Sequence, residues 1–337
     1  MNPSALLFAI TLASPEPMAT SAATLSAAAA ASGRPKECMS ASHRSLNQGP
    51  SVWQRARVPT LQRYCDMLSR ARAQLSTNPE MSKAAALEAE KALPGKAAPK
   101  VAIARAALAL GDLETAAKQF LAAKSIDPRS VEDPSTMHDL ARVLRKTGKK
   151  TEALAVYRAL VPRVDLISST ERRVSVLLEA AHASMAAVTV DADKGDKDPL
   201  KASPLDEAIA YLREAKQRPA TLLANDVALT LVLALDRAGE REAADAALAD
   251  AHRTGARVRQ SSLDYLSDSN ERIALEALVQ EGSDRAAAIK SWEAYLASSA
   301  GKGPWAATAR ARLDALKHGG VKSAKASSSK PSAPGKK

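Results

Sequence analysis

The sequence predicts an all-α fold, a solenoid of antiparallel helix pairs with disordered tails at both ends. Three observations point to it. A small–large–small triplet at positions i, i+4 and i+7 recurs along the chain, and that spacing puts three side chains on one helix face. In three copies a glycine stands five residues ahead of the triplet, where a left-handed residue ends one helix and lets the chain reverse. Hydrophobic residues make up 46% of the 337, yet aromatics only 3%, with two Phe and five Tyr. Alanine supplies much of the apolar content, and alanine-lined helices suit closely stacked layers better than one large core.

The chain starts with a leader, residues 1–33. Ala5–Ala13 is a short apolar run, too short to cross a bilayer, which takes about 20 residues. It fits the centre of a secretory signal peptide, and the small residues of Met18–Gly33 offer A-x-A-like cleavage sites. No Lys or Arg precedes Arg34, so the positive front of such a signal is the amino terminus alone. The alternatives are a disordered Ala/Ser leader or a start codon placed too early. A polar linker, 34–59, follows. Thr60–Leu75 and Met81–Leu93 then form a first helix pair, a cap over 60–94, broken by Asn78-Pro79 and closed by Pro94-Gly95.

The clear repeats occupy 97–297. In the first, about Ala97 to Pro128, Ile103, Ala104, Ala107 and Leu110 share a face, Gly111 makes the turn, and Ala116, Phe120 and Ala123 form the triplet. Pro128 stops the second helix. The next, Pro134 to Pro162, has Met137, Leu140, Ala141 and Leu144, then Gly148, then Ala153 and Tyr157, with Leu160 where a small residue is usual. Helices near Ser169–Val188 and Pro204–Gln217 flank a polar insertion at 189–203 and carry Ala208, Leu212 and Ala215. Leu222 to Arg253 has Leu231, Val232 and Leu235, Gly239, then Ala244, Leu248 and Ala251. Ser269 to Ala297 has Gly282, then Ala288, Trp292 and Tyr295, one residue out of register. Trp305–Leu316 closes the array within 303–318.

The stretch Gly111–Pro128 resembles the second half of a tetratricopeptide (TPR) repeat. Gly111 and Gly148 are 37 residues apart, close to the family period of about 34. The resemblance covers roughly Ala97 to Ala297. It implies a right-handed TPR-like α-solenoid, first helices lining a concave groove, and a non-enzymatic role as a protein-binding scaffold. No cofactor and no small-molecule substrate are expected.

One candidate site follows. His138, Arg142, Arg145 and Lys146 sit at offsets of four, seven and eight, on one face of the helix whose other face is Met137, Leu140, Ala141 and Leu144. Arg105 of the preceding repeat joins them. A basic groove would take an acidic protein or peptide segment; the bland reading is a solvated helix face. The paired Asn residues of the carboxylate-binding TPR pattern are not found.

Other signals are weaker. Asp191–Asp198 alternates carboxylates like a calcium loop, but the sixth and twelfth positions are Asp196 and Ala202, where such a loop needs Gly and an acid. It reads as a flexible insertion. The five histidines are scattered, so no metal site is expected. There is no Gly-rich phosphate loop, Gly-x-Ser-x-Gly elbow or His-Glu-x-x-His helix. Nothing motivates an enzyme.

Net charge is +11, but 319–337 holds five Lys and no acid. That low-complexity tail should be disordered, and nucleic acid would be reached only through it. It lacks aromatics for base stacking. The rest of the chain is modestly basic. Cys38 and Cys65 are the two cysteines. They either form one disulfide, if the chain is exported, or are two unrelated thiols. The reading is an exported, periplasmic or envelope protein that does not span the membrane, and the Ala/Arg-rich composition suits a GC-rich bacterial genome. The alternative is a cytoplasmic regulator whose tail contacts nucleic acid.

Overall fold

A computed structural model of the protein describes residues 35–38, 52–188, 203–220, 222–258 and 269–318. The leader, the Asp191–Asp198 insertion, His43 and the Lys-rich tail lie outside the described residues. Thirteen α-helices make up the described chain, and it contains no strand. They are α1 (Val52–Gln74), α2 (Pro79–Ala92), α3 (Ala97–Ala109), α4 (Leu113–Ile126), α5 (Pro134–Lys146), α6 (Lys150–Leu160) and α7 (Thr170–Ala186). Then come α8 (Pro204–Gln217), α9 (Ala224–Arg237), α10 (Arg241–Arg253), α11 (Ser269–Glu281), α12 (Arg285–Ala297) and α13 (Ala306–His318).

The helices pack as antiparallel pairs, α1/α2 through α11/α12, with α13 against α12. First helices of neighbouring pairs also touch, α3 with α5, α7 with α9 and α9 with α11, so they form an inner row. This is a TPR-like array. The triplets carry it as expected. Ala116, Phe120 and Ala123 are fully buried, as are Ala153, Tyr157 and Leu160. Alanine at two of three positions lets the helix backbones approach, while the large central residue fills the space between them. Leu160, out of pattern in the sequence, packs with Val164, Leu177 and Leu212 in the middle layer of the core.

The turns show why the pairs form. Gly111 adopts φ 81°, and Asp112 N–H donates to Ala107 O at 2.9 Å, the six-residue bond that closes a helix around a left-handed residue. Asp112 then caps α4 by accepting from Thr115 N–H at 3.0 Å. Gly148 and Gly239 repeat the bond through Lys149 and Glu240. Gly282 does not. Its backbone is not left-handed, and Asp284 N–H instead reaches Gln280 O at 2.8 Å. What lies nearest to it is a side chain, since a Cβ would stand 2.8 Å from Cε1 of the exposed His252 ring.

Helix limits differ from expectation mainly at α1. It starts at Val52 rather than Thr60 and runs through Pro59. Proline removes one backbone donor, but no Gly, Asn, Asp or Ser interrupts 52–58. Cys38 and Cys65 are joined by a disulfide, which holds the short 3-10 turn Lys36–Cys38 against α1 beside Tyr64 and Leu68. Lys96 at the start of α3 lies 3.5 Å from Glu37 of that turn.

Candidate functional site on the inner helices

The inner row is polar as well as apolar. Helix α7 has the clearest case, because Val174–Met185 reads as a small and apolar run in which Glu179 and His182 stand one turn apart. Glu179 is 2% exposed. Tyr157 Oη of α6 donates to its Oε2 at 2.7 Å and Ser175 Oγ to its Oε1 at 3.2 Å. Around the same carboxylate stand His138 Nε2 at 3.5 Å, Arg142 Nε at 3.6 Å and an Arg145 terminal nitrogen at 3.7 Å. Burial pushes the Glu179 carboxyl up, but His138, Arg145 and Arg142 together outweigh it and bring it down to about 2. Tyr157 moves the other way. Its burial and the facing carboxylate hold the phenol well above its ordinary value.

A second carboxylate sits one position along α5 from His138. Asp139 accepts from Arg105 Nε at 2.7 Å and from Arg172 of α7 at 3.1 Å. Each of the two carboxylates is thus shared by two guanidiniums.

The sequence-derived basic face therefore resolves into parts. His138, Arg142 and Arg145 do share a face, and it turns inward onto Glu179. Arg105 is committed to Asp139. Lys146 stays exposed. Arg142 keeps 37% of its side chain accessible, whereas His138 keeps 4% and Arg145 10%. A freely solvated basic face is not what the fold builds. The reason is that the counter-charges come from α5 itself and from α7, and offsets along one helix carry no information about its neighbour. Glu179, Arg172 and His182 were not singled out as site residues. An acid in an otherwise small and apolar run is the signal that could have found Glu179.

The network continues along the row. His182 Nε2 lies 3.5 Å from Thr230 Oγ1 of α9. Burial lowers this histidine to about 4, so its ring is neutral around pH 7. Arg237 of α9 pairs with Glu271 of α11 at 2.9 Å and stacks over the Trp305 ring at 5.0 Å. Arg312 of α13 is buried and holds Asp236, Asp245 and Glu281 at 2.6, 2.8 and 3.0 Å. Trp292 Nε1 also donates to Glu281 at 2.8 Å. One arginine thereby ties the closing helix to three earlier ones.

Chemically, these groups neutralise one another. Glu179 is held ionised among cations, and the Tyr157 hydroxyl is spent on it. Among the described residues no group of three or more His, Cys, Asp or Glu side chains is arranged to hold a metal ion. Among the same residues no helix is long and apolar enough to cross a membrane.

No protein-family model matches the chain, and no curated protein matches it. Among solved structures it is similar to PilF of Pseudomonas aeruginosa, at 14% identity and TM-score 0.44, over 70% of this chain and 91% of that one. It is also similar to Acl4, an assembly chaperone of RpL4, at 16% identity and TM-score 0.44, over 76% of this chain and 99% of that one.

Proposed function

We propose that the protein is a non-enzymatic scaffold of helical-repeat type that binds an acidic segment of a protein partner in a bacterial cell envelope. The observation that carries this reading is the sharing of each inner carboxylate by two guanidiniums. Arg142 and Arg172 keep 37% and 36% of their side chains accessible while leaning on carboxylates already served by Arg145 and Arg105. Planar guanidiniums in that situation can turn an outer edge to a further carboxylate. Lys146, exposed one turn from Arg142, adds a point charge on the same side. A binding role fits better than a catalytic one because the buried acid and base groups are locked to each other.

Export is supported by the Cys38–Cys65 disulfide, since such bonds persist in oxidising compartments, and by the apolar leader ahead of it. Mass spectrometry of the native amino terminus tests this part. A chain beginning within or after Met18–Gly33 is expected, and an intact Met1 would overturn export. The site is tested by crosslinked capture from envelope extract with wild-type bait and with the Arg142→Glu/Lys146→Glu pair. A protein held by the wild type should be lost from the double variant, with folding checked by circular dichroism. Equal capture by both baits removes this face from the binding site.

A further inference from the structure

Among the described residues α1/α2 is the first pair of the array, and the outer face of α2 is partly apolar. Terminal repeats need a polar outer face because no neighbour covers them. On α2 the exposed residues are Glu80, Met81, Ala84, Leu87 and Lys91. Met81 and Leu87 are 42% and 41% exposed. Beside them runs a groove of about 360 Å³ between α1 and α2, with Met67 and Arg70 on its α1 side.

The order of these residues matters more than their number. At about 100° per residue, Glu80, Ala84, Leu87 and Lys91 fall within roughly 60° of one another, a straight stripe about 16 Å long. Its ends carry opposite charges, and its middle carries one small and one large apolar side chain. Such a stripe complements its own reverse. Laid antiparallel about the point midway between Ala84 and Leu87, a second copy would set its Lys91 against Glu80, and its Leu87 against Ala84. The two-fold axis repeats both contacts, as an isologous interface requires. Lys91 pairs at present with Glu88 across an exposed turn at 2.8 Å. A bond of that kind contributes little and is readily exchanged.

We infer that α2 is a self-association surface and that its occupant is a second copy of this chain, joined antiparallel through Glu80, Ala84, Leu87 and Lys91. The patch is one helix long, at the small end of specific interfaces, so a dissociation constant on the order of tens of micromolar is expected.

Sedimentation velocity of the full-length chain, from about 5 to about 500 µM, brackets that constant. The wild type should pass from monomer to dimer over this range. Leu87→Glu should abolish the shift. Glu80→Lys and Lys91→Glu should each weaken association about tenfold, an opposed charge pair being replaced by a like one at two symmetric places. The double variant Glu80→Lys/Lys91→Glu should return to within about threefold of the wild type, because the swap restores complementarity. All four positions are exposed, and circular dichroism is the check that each variant folds. A wild type that stays monomeric at the highest concentration overturns the inference. So does association that Leu87→Glu leaves intact, or a double variant no stronger than the single ones.

Discussion

Replacing Glu179 with glutamine removes one charge from the middle of the inner row and almost nothing else. The amide keeps the length of the side chain and can still accept from Tyr157 Oη, now at 2.7 Å from Oε2. What disappears is the charge facing Arg142 at 3.6 Å and Arg145 at 3.7 Å. The size of the loss follows from the carboxyl's own titration. It is lowered from 4.5 to about 2 in the folded chain, and a shift of that size is worth about 3 kcal/mol, at roughly 1.4 kcal/mol per unit. Breaking a buried pair by removing one partner costs about 3–5 kcal/mol, which agrees. The sign is set by the depressed value. The stabilisation is complete above about 4.5 and is lost as pH falls through about 2. Urea unfolding of both proteins, followed by circular dichroism, should show a gap of about 3 kcal/mol near neutral pH that closes on acidification toward 2. A loss under about 1 kcal/mol near neutral pH, or a gap that acid does not change, would refute the account of Glu179 as the ionised centre of the network.

Two further outcomes concern other parts of the fold. His182 is lowered by burial from 6.5 to about 4, with Glu271, Arg145, Glu179, Arg237 and Thr230 around it. Its unfolded form takes a proton first, so stability should fall by about 3 kcal/mol as pH drops from 6.5 to 4. Melting temperatures of His182→Gln should be flatter across that window, and an unchanged slope counts against the neutral buried ring. The Cys38–Cys65 bond closes a loop with a sequence separation of 27, for which chain entropy predicts about 3.5 kcal/mol. Reduction should lower amide-exchange protection in α1 and α2 while leaving α5 to α13 unchanged, and full protection after reduction contradicts that.

Much of the scaffold was legible because it is local. Ala116, Phe120 and Ala123 needed only the helical period to be placed together, and Gly111 needed only its position ahead of them. Gly282 shows where that reasoning stops. It stands six residues ahead of its triplet instead of five and takes no left-handed turn, and a Cβ there would meet the His252 ring, thirty residues earlier in sequence. The basic face of α5 is the same lesson in charge. The offsets correctly grouped His138, Arg142 and Arg145, but whether the group faced water or a partner depended on Glu179, forty-one residues from His138. The helix α1 reaches back past the expected start at Thr60 to Val52, because Pro59 removes a single backbone donor and no other breaker lies in 52–58.

By itself the sequence determined the all-α class, the order of the pairs and the residues that pack them, since periodicity and turn chemistry act over a few residues. Tertiary structure alone decided which charges meet. Arg172 reaches Asp139 across 33 positions, and Arg312 reaches Asp236 across 76. An ion pair forms where two helices bring its ends within about 4 Å, and that distance belongs to the packing of the array, not to the spacing of residues along any one helix.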